Sequence, residues 1–449
     1  MKKIYFIGIG GIGLSALARF YLKKGIEVFG SDLEKSEITQ SLKKEGAKIF
    51  IGPQKGKFLS KDFDLVVYTP AIPLNHPELK KAKKLKIKTL SYPQALGELL
   101  KDYFPIAIAG SHGKSTTTAL TSLILIKAGF DPNVIIGTKL KEFGNSNCRI
   151  GKSKYFVFEA DEWQASFLNY FPKIIVFTNI DKEHLDFYKN FKNVLKAFKK
   201  FASHLSEDGV LIVNEDDQNL KNFIKIFKKK TNVLSYSLRQ KETKLLEKIL
   251  KVPGKFNVSN ALAALTLARA LKIPDKISFK ALSEYQGSWR RLEEEKIEIF
   301  GKKIILVNDY AHHPTEIKVT LEALREKYPS KRIFCLFEPH QYQRTYFLFD
   351  DFVKVFLQAP IEVLILTKIY EVKGRENEEI KKKVSSKDLF EAIKKGKKRF
   401  LKEVKYLASF KTIKNFLKEK IENDDVLVVM GAGKIYQFSF YLKQSAPVV

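Results

Sequence analysis

The sequence has little cysteine, no long apolar run and too few acidic residues for its bases, and each deficit excludes something. Cys148 and Cys335 are the only cysteines, far apart and outside any CxxC pattern. Neither a disulfide framework nor a cysteine zinc site is therefore expected, and a reducing cytoplasm suits the chain. After Met1-Lys2-Lys3 the apolar run Ile4-Tyr5-Phe6-Ile7 meets glycine at once, before a secretory core or membrane span is reached; no targeting or transmembrane segment is expected. Internal repeats and low-complexity tracts are lacking too. With 45% apolar and 12% aromatic residues, the disordered, collagenous and disulfide-scaffold classes fall away.

The shortage of acid leaves a formal charge of +30, a field that would draw nucleic acid. The excess is mostly lysine in amphipathic stretches such as Lys80 to Lys88, Lys221 to Lys230 and Lys394 to Lys402. No aromatic-interleaved RNA motif or finger spacing accompanies it, so these stretches read as solvated faces. Neither a nucleic acid nor a membrane is expected as partner, and the oligomeric state is left open.

What the chain does contain is a recurring pattern of short β-branched or aromatic runs, then glycine, then a helical segment, which predicts an α/β fold of parallel units. At 449 residues it exceeds one hydrophobic core, and three domains are expected, at 1–98, 99–290 and 291–449. Strands are predicted near residues 4–8, 26–30 and 65–69 in the first, and at 105–109, 155–158, 174–177 and 210–213 in the second. The third has them at 304–307, 333–337, 363–366 and 426–429. The charged segment Glu371 to Lys387 reads as a loop entering a helix.

Five motifs fall at the predicted strand ends. In Gly8-Ile9-Gly10-Gly11-Ile12-Gly13 glycines allow a tight turn and close approach to a pyrophosphate, which the following helix N-terminus stabilises. With Asp32 at the end of the second strand to bind a ribose, NAD is one reading of this diphosphate loop and another nucleotide is the other. Ala109-Gly110-Ser111-His112-Gly113-Lys114-Ser115-Thr116 departs from the usual P-loop spacing yet sits between strand and helix. Its amides would cradle ATP phosphates, Lys114 would neutralise them and Ser115 would reach Mg²⁺. Glu159-Ala160-Asp161-Glu162 and Thr178 to Asp186, which includes His184, project acids and an imidazole from neighbouring strand ends, where a P-loop would hold its metal. In the third domain Asp309-Tyr310-Ala311-His312-His313-Pro314-Thr315-Glu316 and Pro339-His340-Gln341-Tyr342-Gln343-Arg344-Thr345 gather histidines at strand-to-helix turns, where imidazoles orient substrates, bind metal or move protons.

In this order, joined by Gly254 to Asn260, Arg290-Arg291 and Gly431-Ala432-Gly433, the motifs span nearly the whole chain, which resembles the Mur ligases. The histidine-rich elements of the third domain are most similar to the alanine-adding branch. The resemblance implies a Rossmann-like first domain for a UDP-sugar, a central ATPase domain and a Rossmann-like third domain that brings the amino acid. Activity would be ATP-dependent coupling of L-alanine to the lactyl carboxylate of UDP-N-acetylmuramate, in peptidoglycan precursor synthesis.

Carried over by position, Gly10, Gly11, Ile12, Gly13 and Asp32 would hold the UDP-sugar. Gly110, Ser111, His112, Gly113, Lys114, Ser115 and Thr116 would hold ATP, with Asn260 facing adenine and Arg291 and Asp309 completing the site. Ser115, Glu159 and His184 would bind Mg²⁺; Lys114, Glu159, His184 and Arg291 would form the catalytic group; His313 and Arg344 would contact the amino acid. Closure of the third domain would assemble the site and exclude water.

The sequence departs from the family pattern in places. Ser111 and Ser115 replace threonines, Phe256 a common histidine and Gln341 a common arginine; Trp163-Gln164 and Lys434 are also unusual. Alternatives are a related ligase adding another amino acid or a preformed murein peptide, an NAD-dependent dehydrogenase, and a catalytically silent nucleotide-binding protein.

Overall fold

The structure, a computed structural model, describes residues 1–372 and 376–443. Part of the charged segment after Glu371, and the last residues of the expected third domain, lie outside that range. Among the described residues the strands form three sheets.

The first sheet is parallel throughout, in the spatial order Lys48–Ile51, Glu27–Asp32, Lys3–Ile7, Leu65–Tyr68, Lys88–Ser91. Strand order reverses beside Lys3–Ile7. Loops diverge there to opposite faces and leave a crevice at the strands' carboxyl ends, and this is where the Gly8 to Gly13 turn emerges. Helix Ile12–Lys23 follows it, burying Leu14 through Tyr21.

The second sheet runs Asn232–Tyr236, Val210–Asn214, Ile174–Phe177, Phe104–Ala109, Tyr155–Glu159, Asn133–Leu140, Ser146–Arg149, parallel except for the last pair. Phe104–Ala109 lies between Ile174–Phe177 and Tyr155–Glu159, so the loop leaving Ala109 is flanked by the loops after Glu159 and Phe177. Three motifs distant in sequence thus converge because their strands are neighbours. Helix Lys114–Lys127 buries Ser115 through Ser122, and its hydroxyls are satisfied locally where they can be, as when Ser122 donates to the Thr118 carbonyl at 2.7 Å.

The third sheet is Glu293–Ile299, Lys302–Asp309, Val426–Met430, Ile333–Phe337, Val363–Leu366, Glu403–Tyr406, with only the first pair antiparallel. Its central strands are covered on both faces. Ile305, Val307, Cys335, Phe337, Val426, Val428 and Met430 enter one core, while Ile304, Leu306, Phe334, Leu336, Leu427 and Val429 enter the other. That accounts for the unbroken apolar runs of the sequence, as expected of strands buried between helices.

Two compact units result. Met1–Glu183, Phe187–Leu250 and Val258–Gln286 make up the first, holding two sheets; His184–Asp186, Lys251–Asn257 and the described residues from Gly287 onward make up the second. No helix among the described residues is long and apolar enough to cross a membrane.

Within the first unit the glycine-loop helix is fastened to the second sheet through a buried polar cluster. Asn147, wholly buried, donates to the Ile12 carbonyl at 2.6 Å and to Ser15 Oγ at 2.9 Å. It accepts from Arg19 at 2.5 Å, and Arg19 also donates to both oxygens of Glu45. Removing Asn147 would strand a carbonyl and a guanidinium away from water, at about 1–3 kcal/mol. Asn147→Ala is therefore expected to lower the stability of the first unit by about 2 kcal/mol, read from the urea midpoint. Glu45→Ala, at a partly exposed carboxylate, is expected to cost less.

Candidate active site

Close approach explains the glycine loop. A Cβ on Gly10 would lie 2.8 Å from Asp32 Oδ2, and in its absence the Gly10 amide donates to that oxygen at 2.8 Å. Asp32 thus braces the loop, its other oxygen accepting weakly from the Glu34 amide at 3.3 Å. Gly11 is the N-cap of helix Ile12–Lys23 with no side-chain cap, so the first amides and the positive end of the helix dipole face the crevice, as an anion site requires.

The P-loop is held by the strand beside it. Ser111 donates its amide to the Asn179 carbonyl at 3.0 Å and His112 to Asn179 Oδ1 at 2.8 Å. Thr178 Oγ1 and Asn179 Nδ2 donate to the His112 carbonyl at 2.6 and 3.0 Å. Ser111 Oγ accepts from the Asp181 amide at 2.8 Å, and His112 Nε2 meets Asp181 Oδ2 at 2.9 Å. Gly113 closes the loop at φ +81°, where a Cβ would lie only 2.4 Å from Asn260 Oδ1; Asn260 in turn accepts from Thr117 Oγ1 at 3.2 Å. Only glycine meets both conditions.

Lys114 opens the next helix and turns back over the loop, donating to the Gly110 carbonyl at 2.6 Å, the Ser111 carbonyl at 3.2 Å and Glu162 Oε2 at 2.8 Å. Glu162 is fully buried, and its own carbonyl accepts from Tyr188 Oη at 2.6 Å. Burial pushes the Glu162 carboxyl up to about 7 although Lys114 pulls the other way. For Lys114 burial works to lower the value, but Glu162, Asp161 and Glu159 outweigh it and hold the ammonium above its ordinary range. Glu159, at its strand's end, accepts from the Gly137 amide at 2.5 Å, while Ser115 is buried at the first turn of the helix.

Where the ends of the first and second sheets face each other within this unit there is a cavity of about 420 Å³. Tyr68, Pro70, Ile72, Ser91 and Gln94 line it from one side and Gln164, Ser166 and Asn169 from the other.

In the second unit Asp309 ends its strand with both oxygens engaged: Oδ2 accepts from the Leu292 amide and Oδ1 from the Ala311 amide, each at 2.8 Å. Burial raises its carboxyl, with Arg291 opposing. Arg291 lies over the Tyr310 ring at 4.8 Å and 4.0 Å from Glu316. His313 is the N-cap of helix Pro314–Lys327, accepting from the Thr315 amide at 3.2 Å and sharing a capping box with Glu316. Arg344 Nη1 donates to the His340 carbonyl at 3.2 Å and to Gln341 Oε1 at 3.3 Å. His340 stacks on Tyr370 with centroids 5.5 Å apart.

Three family models match in succession: the Mur ligase family catalytic domain over residues 3–104, the Mur ligase middle domain over 108–268, and the Mur ligase glutamate ligase domain over 290–433. The chain belongs to the Mur ligase family. The UDP-N-acetylmuramate–L-alanine ligase of Clostridium novyi (strain NT) is 40% identical over 97% of this chain and 96% of its own. That of Persephonella marina is 38% identical over 99% and 97%. Among solved structures, the UDP-N-acetylmuramate-alanine ligase MurC of Thermotoga maritima shares the fold with a TM-score of 0.80 at 24% identity, over 99% of each chain. A murein peptide ligase from Psychrobacter arcticus does so at 0.73 and 22% identity, over the whole of both. The three-domain α/β architecture is that of this family.

Of the residues singled out in this Mur ligase, Gly110 to Thr116, Glu159 and Asn260 come from the first unit, as do Gly10 to Gly13 and Asp32. His184, at φ +55° before the short helix Leu185–Tyr188, groups with the second unit, as do Arg291, Asp309, His313 and Arg344. Two residues without an assigned part in the sequence analysis stand out. Glu162 pairs with Lys114. Arg290 is buried against Tyr436, Tyr310 and Trp289, 4.4, 4.8 and 5.4 Å from the ring centres, and donates to the carbonyls of Gly431 and Gly433. The only sequence signals were an acid following Glu159 and a tryptophan beside two arginines.

Glu338 lies against the same glycine turn, accepting from the Ile435 amide at 3.1 Å, and burial pushes its carboxyl from an ordinary 4.5 up to about 7. A carboxyl raised on folding favours the native state while protonated, so its contribution is lost as pH climbs from 4.5 through about 7. Glu338→Gln is expected to flatten the fall in melting temperature of the second unit between about pH 5 and 8, measured by calorimetry. An unchanged slope would refute this assignment.

Proposed function

We propose that this Mur ligase couples L-alanine to the lactyl carboxylate of UDP-N-acetylmuramate with cleavage of ATP. The observation that carries the reading is an uncapped glycine-loop helix and a lysine-bearing P-loop at strand ends of one compact unit, with the domains of a single ligase family in order along the chain. Alanine follows the relatives that cover nearly the whole sequence.

A carboxylate resists attack by an amine, so it must first be phosphorylated. The Gly10 to Gly13 turn, braced by Asp32, receives the diphosphate of the UDP-sugar, and the cavity beside it takes the muramic acid. Gly110 to Thr116 wrap the ATP phosphates, and Lys114 neutralises charge on the transferred group; such transfers depend mainly on positioning and electrostatics. Asn260, bonded to Thr117 behind the loop, would face the adenine. Ser115 and Glu159 offer the hard oxygen ligands that Mg²⁺ prefers, with His184 as a third ligand. Bound there, Mg²⁺ would supply charge neutralisation at the phosphates. Arg291 and Asp309 serve the nucleotide, His313 and Arg344 the amino acid. The amine of alanine adds to the acyl phosphate carbon, and the tetrahedral adduct expels phosphate, leaving the amide. Domain limits near residues 98 and 290 accompany this division of labour, as does a cytoplasmic location.

Phosphate release from ATP in the presence of UDP-N-acetylmuramate, with L-alanine, glycine, L-serine or a murein tripeptide, tests the reading. L-alanine is expected to be preferred; release with the tripeptide alone would overturn it. Lys114→Ala is expected to reduce release by at least about a thousandfold while UDP-sugar binding, measured by calorimetry, is retained. Turnover at the parental rate would remove the P-loop from the mechanism.

A further inference from the structure

An ammonium has three N–H bonds to give, and those of Lys114 meet three acceptors: the Gly110 and Ser111 carbonyls of its own loop and Glu162 Oε2. The two carbonyls come from the loop that must cradle the nucleotide, so a phosphate oxygen arriving at Lys114 competes with the third. Glu162 is the only one of the three that can carry a charge. It is fully buried, and its Oε1 has no hydrogen-bond partner among the described residues. Lys114 is the cation hydrogen-bonded to this carboxylate, and removing it leaves a buried carboxylate without that partner.

Glu162 also opens the segment Trp163–Asn169, whose Gln164, Ser166 and Asn169 line the cavity assigned above to the muramic acid. Gln164 and Ala165 adopt left-handed backbone, at φ +51° and +55°. The residue that faces the P-loop lysine thus stands two positions before Gln164, the first residue of this segment to line the cavity.

We propose that Glu162 is a positioning residue that stands in for a phosphate oxygen on Lys114. It fixes the lysine over the loop before ATP arrives and weakens ATP binding by competing for the same charge. The inference rests on the P-loop reading of Gly110 to Thr116. Unlike an ordinary structural ion pair, it predicts that loss of the carboxylate tightens nucleotide binding while slowing the chemical step, because the lysine gains charge for phosphate and loses its fixed position.

The test is titration calorimetry of ATP with Mg²⁺ into the full chain and its Glu162→Gln variant, alongside phosphate release with UDP-N-acetylmuramate and L-alanine. The variant should bind ATP about three- to tenfold more tightly and turn over about tenfold more slowly, so that KM for ATP and kcat fall together. In a Lys114→Met background Glu162→Gln should leave ATP affinity unchanged, since the competition acts only through the lysine. Should Glu162→Gln not fold, Glu162→Asp, which lengthens the pair, should tighten binding about twofold. Unchanged or weaker binding in the folded variant, or the same change with and without Lys114, would overturn the proposal. If the parental chain releases no phosphate, the ligase reading fails instead, and the binding comparison still decides the role of Glu162.

Discussion

Parallel strands cannot be joined by tight turns; each must return through a helix, so every strand delivers its carboxyl end, and the loop that follows, to the same edge of the sheet. That constraint organises the chemistry of this ligase. In the second sheet it sets the loops after Ala109, Glu159 and Phe177 side by side, although the residues they bring together are separated by long stretches of chain. Loop geometry then follows from local bonding. Thr178 and Asn179 grip the His112 carbonyl from the end of the neighbouring strand, and the loop that would meet phosphate is held in shape by protein rather than by ligand. A preorganised cradle has less ordering left to do when an anion arrives.

The same constraint decided what could be read from the sequence. Strands with both faces covered are continuous apolar runs, and Ile4 to Ile7, Ile106 to Ala109, Ile174 to Phe177, Ile333 to Phe337 and Val426 to Val429 stand where the pattern put them. Edge strands were silent. Glu293–Ile299 reads Glu-Glu-Glu-Lys-Ile-Glu-Ile and is a strand only because Lys302–Asp309 pairs with it. Ser146–Arg149 and Glu403–Tyr406 likewise lie at sheet margins, the first with its polar Asn147 buried against the glycine-loop helix. Tertiary pairing rather than local propensity makes these segments strands.

Motif placement was legible for the same reason that it works: glycines and a lysine between an apolar strand and a helix have few other uses. Partnership was not. Nothing in the order Glu159-Ala160-Asp161-Glu162 says that the last acid, rather than the first, turns inward to Lys114. Asp32 shows the converse. Its spacing suggested a ligand contact, and its carboxylate also accepts from the Gly10 amide, a bond between a loop and a neighbouring strand end that no linear pattern encodes.

The replacement at Gln341 has a similar logic. A second guanidinium beside Arg344 would add a cation where one is already crowded by His340, whose Nδ1 lies 3.1 Å from Arg344 Nη1. At that distance the imidazole nitrogen must accept, which places the ring proton of neutral His340 on Nε2. Gln341 fits this arrangement because its Oε1 is an acceptor too, so carbonyl, amide oxygen and imidazole together aim the Arg344 guanidinium. Glutamine cannot bind a carboxylate as arginine does, but it can steady the arginine proposed to do so.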